Sequence, residues 1–234
     1  MTAKSILEEI KPLGRDSYKN VLLNHGVTEP CFGVKVEDLK KIQNRIKKDH
    51  RLALDLYDTG IYDAMYLAGL IADDAQMTKQ DLQRWVENAC GALTGFTVPS
   101  VAAGSLHARE LALEWIESER ELIAGAGWAT LSSLVAIKDG SEFDLAELKR
   151  LLQRVQKTIH QSPNKVRYQM NGFVISTACY VAALTNFALQ IAEKIGPVAV
   201  DMGQTACQVP FAPDSIRKVG MRGTIGKKRK SAKC

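Results

Sequence analysis

The sequence lacks the features of membrane and secreted proteins. No apolar run approaches the ~18 residues that a membrane-spanning helix requires. The first nine residues reach the acidic pair Glu8-Glu9 without the apolar stretch of a signal peptide. Five cysteines, odd in number and widely scattered, favour reduced thiols over a disulfide framework. These absences predict a cytoplasmic protein with no membrane partner.

Most signatures of enzymes and metal sites are also missing. No cysteine pair has zinc spacing, and the four histidines are dispersed along the chain. Neither a nucleophile elbow nor a dinucleotide-binding fingerprint is present. We therefore predict no cofactor and no metal site, and the residue pattern identifies no catalytic residue.

Carboxylates are absent from one long stretch, and the net charge of +5 is unevenly distributed. No acidic residue occurs between Leu148 and Ala192, and residues 213–234 carry eight basic residues against Asp214 alone. A third basic run covers residues 35–51. The candidate DNA-binding residues of the first two regions are Lys149, Arg150, Arg154, Lys157, Lys165, Arg167, Arg217, Lys218, Arg222, Lys227, Lys228, Arg229 and Lys230. Such clustering favours a nucleic-acid partner, with a solvated surface as the alternative.

Hydrophobic periodicity indicates helices along nearly the whole chain. Residues 36–46 are amphipathic, whereas residues 62–71 are more apolar, which is typical of a buried helix. Thr78, followed three residues later by Asp81, predicts a helix N-cap. Four further helices are predicted, over residues 100–117, 119–138, 144–161 and 164–195. At the start of the last one, Lys165 and Arg167 beside free backbone amides would suit phosphate contacts.

Short connections between these helices predict antiparallel pairs stacked into an α-solenoid. The expected fold is all-α, a HEAT-like helical-repeat solenoid with a curved surface, and an irregular helical bundle is the alternative. We expect one domain over residues 1–196. Residues 197–234 would form an extended or hairpin-like basic tail that packs on the last repeat and is disordered at its end.

Tryptophans and small residues occupy apolar helical positions. Trp85, Trp115 and Trp128 are interpreted as core or groove-lining residues, with nucleobase stacking as the alternative. Three apolar helices have small residues at their centres, Ala68-Gly69, Gly125-Ala126-Gly127 and Gly172. Close helix packing is the interpretation of residues 125–127.

Three segments resemble the AlkD-like DNA alkylation repair family, part of the HEAT-like repeat DNA glycosylase superfamily. They are Phe32-Gly33-Val34-Lys35-Val36-Glu37-Asp38-Leu39-Lys40-Lys41-Ile42, Tyr62-Asp63-Ala64-Met65-Tyr66-Leu67-Ala68-Gly69-Leu70-Ile71-Ala72-Asp73 and Val166-Arg167-Tyr168-Gln169-Met170-Asn171-Gly172-Phe173. The resemblance covers roughly residues 30–226 in order and spacing. It implies a superhelix whose concave basic face holds duplex DNA, and active members that excise N3- and N7-alkylated purines without flipping the base into a pocket.

The chain departs from the active members of that family where their chemistry resides. They carry a tryptophan and a catalytic aspartate in the helix that corresponds to about Asn88–Ala102, where this chain has neither. Residues 124–127 stand near the expected arginine, and Phe173 stands near a later tryptophan. Without a carboxylate to stabilise the oxocarbenium character of the sugar, the resemblance implies the scaffold and not the reaction.

Three functional hypotheses follow. The leading one is a sequence-nonspecific, monomeric DNA-binding protein that holds duplex or branched DNA through phosphate and shape contacts and lacks alkylpurine glycosylase activity. The second is an active glycosylase in which Glu87 or Asp63 supplies the carboxylate. The third is a helical scaffold for protein partners.

Overall fold

The computed structural model describes residues 1–233, which form an all-helical protein without a β-strand in that range. The all-α prediction is confirmed. Contacts divide the described chain into two compact units. Unit 1 contains Met1–His107 with Gly203–Thr205 and Lys233, and unit 2 contains Ala108–Met202 with Ala206–Ala232. The single domain expected over residues 1–196 therefore spans parts of both units. Cys234, one of the five cysteines predicted to be reduced, lies outside the described residues.

Seven helices belong to unit 1, and six to unit 2, within the described residues. Those of unit 1 are α1 (Ala3–Ile10), α2 (Asp16–Asn24), α3 (Val36–Ile46), α4 (His50–Tyr57), α5 (Tyr62–Ile71), α6 (Lys79–Asn88) and α7 (Val98–Gly104). Those of unit 2 are α8 (Ala108–Trp115), α9 (Glu121–Ile137), α10 (Leu145–Thr158), α11 (Asn164–Tyr180), α12 (Thr185–Ile195) and α13 (Ala212–Met221).

In unit 1 an apolar helix is surrounded by amphipathic ones. Every residue of α5 is buried, as its largely apolar sequence predicts, whereas α3 buries Leu39 and Ile42 and exposes Lys41. Helix α6 begins at the predicted cap: the Thr78 side chain accepts the amide proton of Asp81, and the Asp81 carboxylate accepts that of Thr78. This reciprocal capping satisfies amides that a helix N-terminus otherwise leaves unpaired.

Unit 2 is built around α9 and α11, which pack against each other. The Trp128 ring on α9 lies 5.3 Å from the Phe173 ring on α11, between ring centroids. Trp115 and Trp128, like Trp85 in unit 1, are at most 1% exposed. The core interpretation of the three tryptophans is therefore confirmed, and their burial rules out nucleobase stacking.

Close packing explains two of the helical glycines. A Cβ atom at Gly127 would lie 2.7 Å from the Ile116 backbone nitrogen and 2.9 Å from the Ala112 carbonyl oxygen. A Cβ atom at Gly69 would lie 2.1 Å from the methyl group of Thr97. Neighbouring segments approach so closely at both positions that a side chain would displace them.

Two of the long predicted helices are interrupted, which corrects their expected bounds. The helix predicted over residues 100–117 stops at Gly104, because the Ser105 hydroxyl donates to the Ala102 carbonyl and accepts the amide of His107. The helix predicted over residues 164–195 bends by 113° after Tyr180, and the Thr185 hydroxyl donates to the Ala178 carbonyl left free there. Side-chain hydrogen bonds thus compete with the helical ladder at both breaks.

The segment after α12 differs from the extended or hairpin-like tail expected for it. Residues 197–211 are irregular, and Asn164 of α11 exchanges two hydrogen bonds of 2.7 Å with the backbone of Asp201. Helix α13 follows, and it was not expected. It begins with Pro213 near its N-terminus and buries Ile216 to 2% exposure against the core of unit 2. This short helix mixes its apolar residues with Asp214, Arg217 and Lys218, so its periodicity does not stand out from the basic background of the sequence.

No single helix in residues 1–233 is long and apolar enough to cross a membrane. The pair Asn164–Tyr180 and Ala182–Ile195, bent by 113°, meets the criteria of length and composition jointly.

Candidate nucleic-acid interface

Helix α10 presents a basic exposed face. The Asp144 side chain caps it by accepting the amide of Ala146, and its apolar residues, from Leu148 to Val155, are buried. The remaining positions are therefore left for charged side chains, which is what its amphipathic pattern predicts. Lys149, Arg150 and Lys157 are exposed on α10, and Arg154 is half-buried.

The four basic residues of α10 differ in their partners. Arg154 forms a bidentate ion pair with Glu117, and its guanidinium lies 5.8 Å from the Trp128 ring centroid. This pairing lowers the pKa of Glu117, mainly through the hydrogen bond. Arg150 is 3.6 Å from Asp144, and the Lys149 amine is 5.8 Å from the centroid of Phe187. Neither Lys149 nor Lys157 has a carboxylate within 4 Å among residues 1–233, so their charges are more available than those of Arg150 and Arg154.

The start of α11 carries two further candidates. The Lys165 backbone amide donates to a carboxylate oxygen of Glu121 at 2.6 Å, so this one amide of the helix start is already occupied. Its side chain is nevertheless exposed. The Arg167 Nε atom is buried and has no hydrogen-bond acceptor within the described part of the chain. Arg167 is therefore a half-buried cation whose donors are not occupied by a carboxylate.

The candidates of α13 and its C-terminal end are mostly exposed. Arg217 differs from the others because it forms ion pairs, at 2.5 Å to Glu193 and 3.5 Å to Asp214. Lys218, Arg222 and Lys230 are exposed, with no ion pair in residues 1–233. Their charges are therefore free to attract a polyanion.

Residues 226–229 form a short segment, here called the strap, that is fixed to unit 2 by hydrogen bonds. The Gly226 amide donates to the Cys179 carbonyl and the Arg229 amide to that of Ala136, both at 2.8 Å. The Lys228 amine donates to the Val135 carbonyl at 2.8 Å, and burial lowers its pKa. This arrangement differs from the disordered end expected for the tail. The strap's basic composition predicted charge but gave no sign of these contacts, which join residues about 50 or 90 positions apart.

The basic run of residues 35–51, in unit 1, is largely neutralised. Five of its seven basic residues lie within 4 Å of a carboxylate. The pairs are Lys35–Glu37, Lys41–Asp38, Arg45–Glu9, Lys48–Asp73 and Arg51–Asp55. Phosphate contacts from this run would have to displace those partners, so the run is a weaker candidate than the basic residues of unit 2.

The region that would hold a glycosylase carboxylate contains packing residues. Between α6 and α7 the chain forms a π-helical turn, Leu93–Thr97, in which Leu93, Thr94 and Thr97 are buried. Residues 124–127 belong to the buried part of α9, and Phe173 is fully buried. None of the positions expected to carry Asp, Arg or Trp offers a side chain that could act on a sugar.

Asp63 and Glu87, the two carboxylates considered as substitutes for the missing catalytic aspartate, have different hydrogen-bond partners. Asp63 is 1% exposed and accepts the amide protons of Phe32 at 2.5 Å and Val34 at 2.7 Å, so it organises a loop. Glu87 is exposed on α6 and accepts a hydrogen bond of 2.7 Å from Gln83. Among residues 1–233 no cluster of three or more His, Cys, Asp or Glu could hold a metal ion.

These features define a helical-repeat protein with a basic surface and without the usual catalytic constellation. Residues 6–193 match the family described as DNA alkylation repair enzyme, and the chain belongs to that family. Its similarity to the uncharacterized protein Lin0241 of Listeria innocua is 32% identity over 221 residues, covering 92% of this chain and 95% of the relative. The chain is also similar to the uncharacterized protein Lmo0209 of Listeria monocytogenes, with the same identity and the same coverage of both chains.

A solved structure supplies the fold comparison. It is described as a new family of proteins related to the HEAT-like repeat DNA glycosylases with affinity for branched DNA structures. The two chains are 34% identical, each is covered completely, and the TM-score is 0.91. The prediction of a HEAT-like repeat fold is thereby confirmed, as is the predicted resemblance to the DNA alkylation repair family.

Proposed function

We propose that this protein binds DNA, and branched DNA in preference to simple duplex, through phosphate contacts from the basic residues of unit 2, and that it does not release alkylated purines. The observation that carries the proposal is the set of exposed cations in unit 2 that have no carboxylate partner in the described chain. Among the predicted candidates they are Lys149, Lys157, Lys165, Lys218, Arg222, Lys227 and Lys230. The affinity of the solved relative for branched DNA supports the same conclusion.

Phosphate recognition of this kind does not depend on base sequence. Cations that neutralise phosphates release condensed counterions, so affinity falls steeply with salt and varies little with sequence. Arg150, Arg154 and Arg217 already have carboxylate partners and would contribute less.

A binding assay on several DNA structures tests the proposal. The full chain is titrated against fluorescent four-way, forked and plain duplex DNA of equal length at low salt. We expect binding to all three and the tightest binding to a branched form. Absence of binding to every DNA at low salt would refute the proposal, and salt-insensitive capture of a protein partner in its place would favour a protein scaffold.

Family membership makes glycosylase activity the second candidate function. Incubation with methylated duplex DNA, followed by measurement of released bases, separates the two. We expect no release above spontaneous depurination because no carboxylate stands at the expected positions. Release above that level would establish an active enzyme, and substitution of Glu87 by Gln would then show whether it supplies the carboxylate.

We further propose that the protein acts as a monomer in the cytoplasm. The buried free thiols of Cys31 and Cys179 fit a reducing compartment. Light scattering of the purified chain tests the monomer, and a mass of about twice 25.7 kDa would contradict it.

A further inference from the structure

Unit 2 contains a pocket beneath the strap. Its volume is about 450 Å³, within the range of ligand-binding sites in proteins. Helix α11 forms one wall, the end of α13 and the turn after it form another, and the strap forms the third. The lining residues are Ile175, Ser176, Cys179, Tyr180, Val219, Thr224, Lys227, Lys228 and Arg229.

The strap is held in a defined position, so the pocket does not depend on a freely moving tail. Its first and last residues are bonded through their amides to carbonyls of α11 and α9, respectively. Between them the Lys228 amine is bonded to the Val135 carbonyl and lies 5.4 Å from the centroid of the Phe143 ring. Fixed walls reduce the entropy that a ligand loses on binding.

The lining combines positive charge with an apolar, partly aromatic surface. Three of the nine lining residues are cations and none is acidic. The side chains of Ile175, Val219 and Tyr180 offer apolar area, and the hydroxyl of Ser176 offers a hydrogen-bond partner. An inorganic anion would use only the charge and would leave the apolar area unfilled. A ligand with one phosphate and one flat apolar body would use both.

We propose that this pocket receives a single unpaired nucleotide of branched DNA, with its phosphate beside Lys227 and Arg229 and its base against Tyr180 and the neighbouring apolar side chains. The inference rests on the proposed function and adds the feature of the branch that is recognised. Base stacking on aromatic side chains combined with cationic backbone contacts is the usual chemistry for single-stranded nucleic acid. Because every base has a flat face, the pocket selects an unpaired nucleotide without selecting its sequence.

Two variants test the pocket. Ser176→Trp fills it from α11, and Lys227→Ala removes an exposed cation from its rim. The matched control is Lys218→Ala, which removes the same charge from an exposed lysine outside the pocket. Thermal unfolding of each variant verifies that it folds. Lys227 is on the surface, so Lys227→Ala still tests the pocket if Ser176→Trp fails to fold.

The probe is a nicked duplex carrying a flap of one unpaired thymidine nucleotide, compared with the same nicked duplex without the flap. We expect the preference of the wild type for the flap to fall about tenfold in Ser176→Trp and severalfold in Lys227→Ala. Lys218→Ala should weaken both DNAs alike and leave the preference unchanged. Free thymidine monophosphate should compete with the flap at millimolar concentration in the wild type.

The outcomes separate the inference from the proposed function. Unchanged flap preference in both pocket variants, with DNA binding intact, overturns the pocket and leaves the DNA-binding function standing. Competition by the free nucleotide without any flap preference also overturns it, since the site would then serve a small molecule. A wild type that binds no DNA overturns both proposals.

Discussion

A buried carboxylate is stable only where donors surround it, and Asp63 meets that condition with the amides of Phe32 and Val34. We expect Asp63→Asn to lower the free energy of unfolding by about 2–3 kcal/mol, because one oxygen becomes a donor facing an amide donor. Urea unfolding measures the change. The control, Asp55→Asn on the exposed side of α4, should stay within about 0.5 kcal/mol. Equal stability of the two variants would show that Asp63 does not hold the loop.

Cysteine reactivity gives a second prediction at the residue scale. Burial, together with the carboxylates of Asp63 and Glu29, raises the pKa of the Cys31 thiol, and burial raises that of Cys179. A raised pKa means less thiolate at a given pH, and the thiolate is the species that reacts. We expect iodoacetamide at pH 8 to label the exposed Cys207 first and these two cysteines only on unfolding. Peptide mass spectrometry over time checks this order, which rapid labelling of Cys31 in the folded protein would contradict.

Helix α13, which lies within the basic tail, contributes to the core of unit 2, and this limits how the tail can be tested. Since Ile216 is buried in the core of unit 2, Ile216→Ala should cost about 2–4 kcal/mol of unfolding free energy. Lys218→Ala on the same helix should cost less than about 0.5 kcal/mol. Thermal or urea unfolding compares the two. Deletion of residues 213–234 would therefore destabilise the fold as well as remove charge, and surface substitutions are the cleaner test of DNA binding.

Two helical glycines provide opposite predictions. Gly127→Ala should destabilise unit 2, because the new Cβ would lie 2.7 Å from backbone. A Cβ atom at Gly172 in α11 would have no atom within 4 Å. Gly172→Ala should therefore raise the free energy of unfolding by about 0.5–1 kcal/mol, because alanine has a higher helix propensity than glycine. Chemical unfolding of both variants decides. If Gly127→Ala proved as stable as the wild type, close packing of α9 would not explain its glycine.

Local patterns in the sequence were sufficient for most helices, but not for α13, nor for the ends and contacts of the others. The capping box of Thr78 and the buried α5 follow from residues within one turn or one helix, so they could be predicted. Helix α7 ends before Ser105 because the hydroxyl of Ser105 donates a hydrogen bond to the nearby Ala102 carbonyl. The strap depends on carbonyls of distant helices, and no periodicity encodes such pairs.

For the molecule as a whole, the distribution of charge matters more than its sum. The sequence correctly located the basic residues, but it could not show which of them are already neutralised. Arg154 is paired with Glu117 across 37 residues, whereas Lys157, one turn further along α10, has no such partner. Two basic residues of equal formal charge can therefore differ in what they contribute to binding a polyanion.

That difference predicts how single charges affect DNA binding by the full chain. Lys157→Ala should weaken binding and reduce the slope of log affinity against log salt by about 0.9, the effect of one lost phosphate contact on duplex DNA. Lys41→Ala lowers the net charge equally but removes a lysine that is bonded to Asp38 at 2.7 Å, so it should leave the slope almost unchanged. Fluorescence anisotropy between about 50 and 200 mM salt, the range over which such contacts lose affinity, measures both slopes. If the two variants behaved alike, net charge and not the surface of α10 would govern the attraction to DNA.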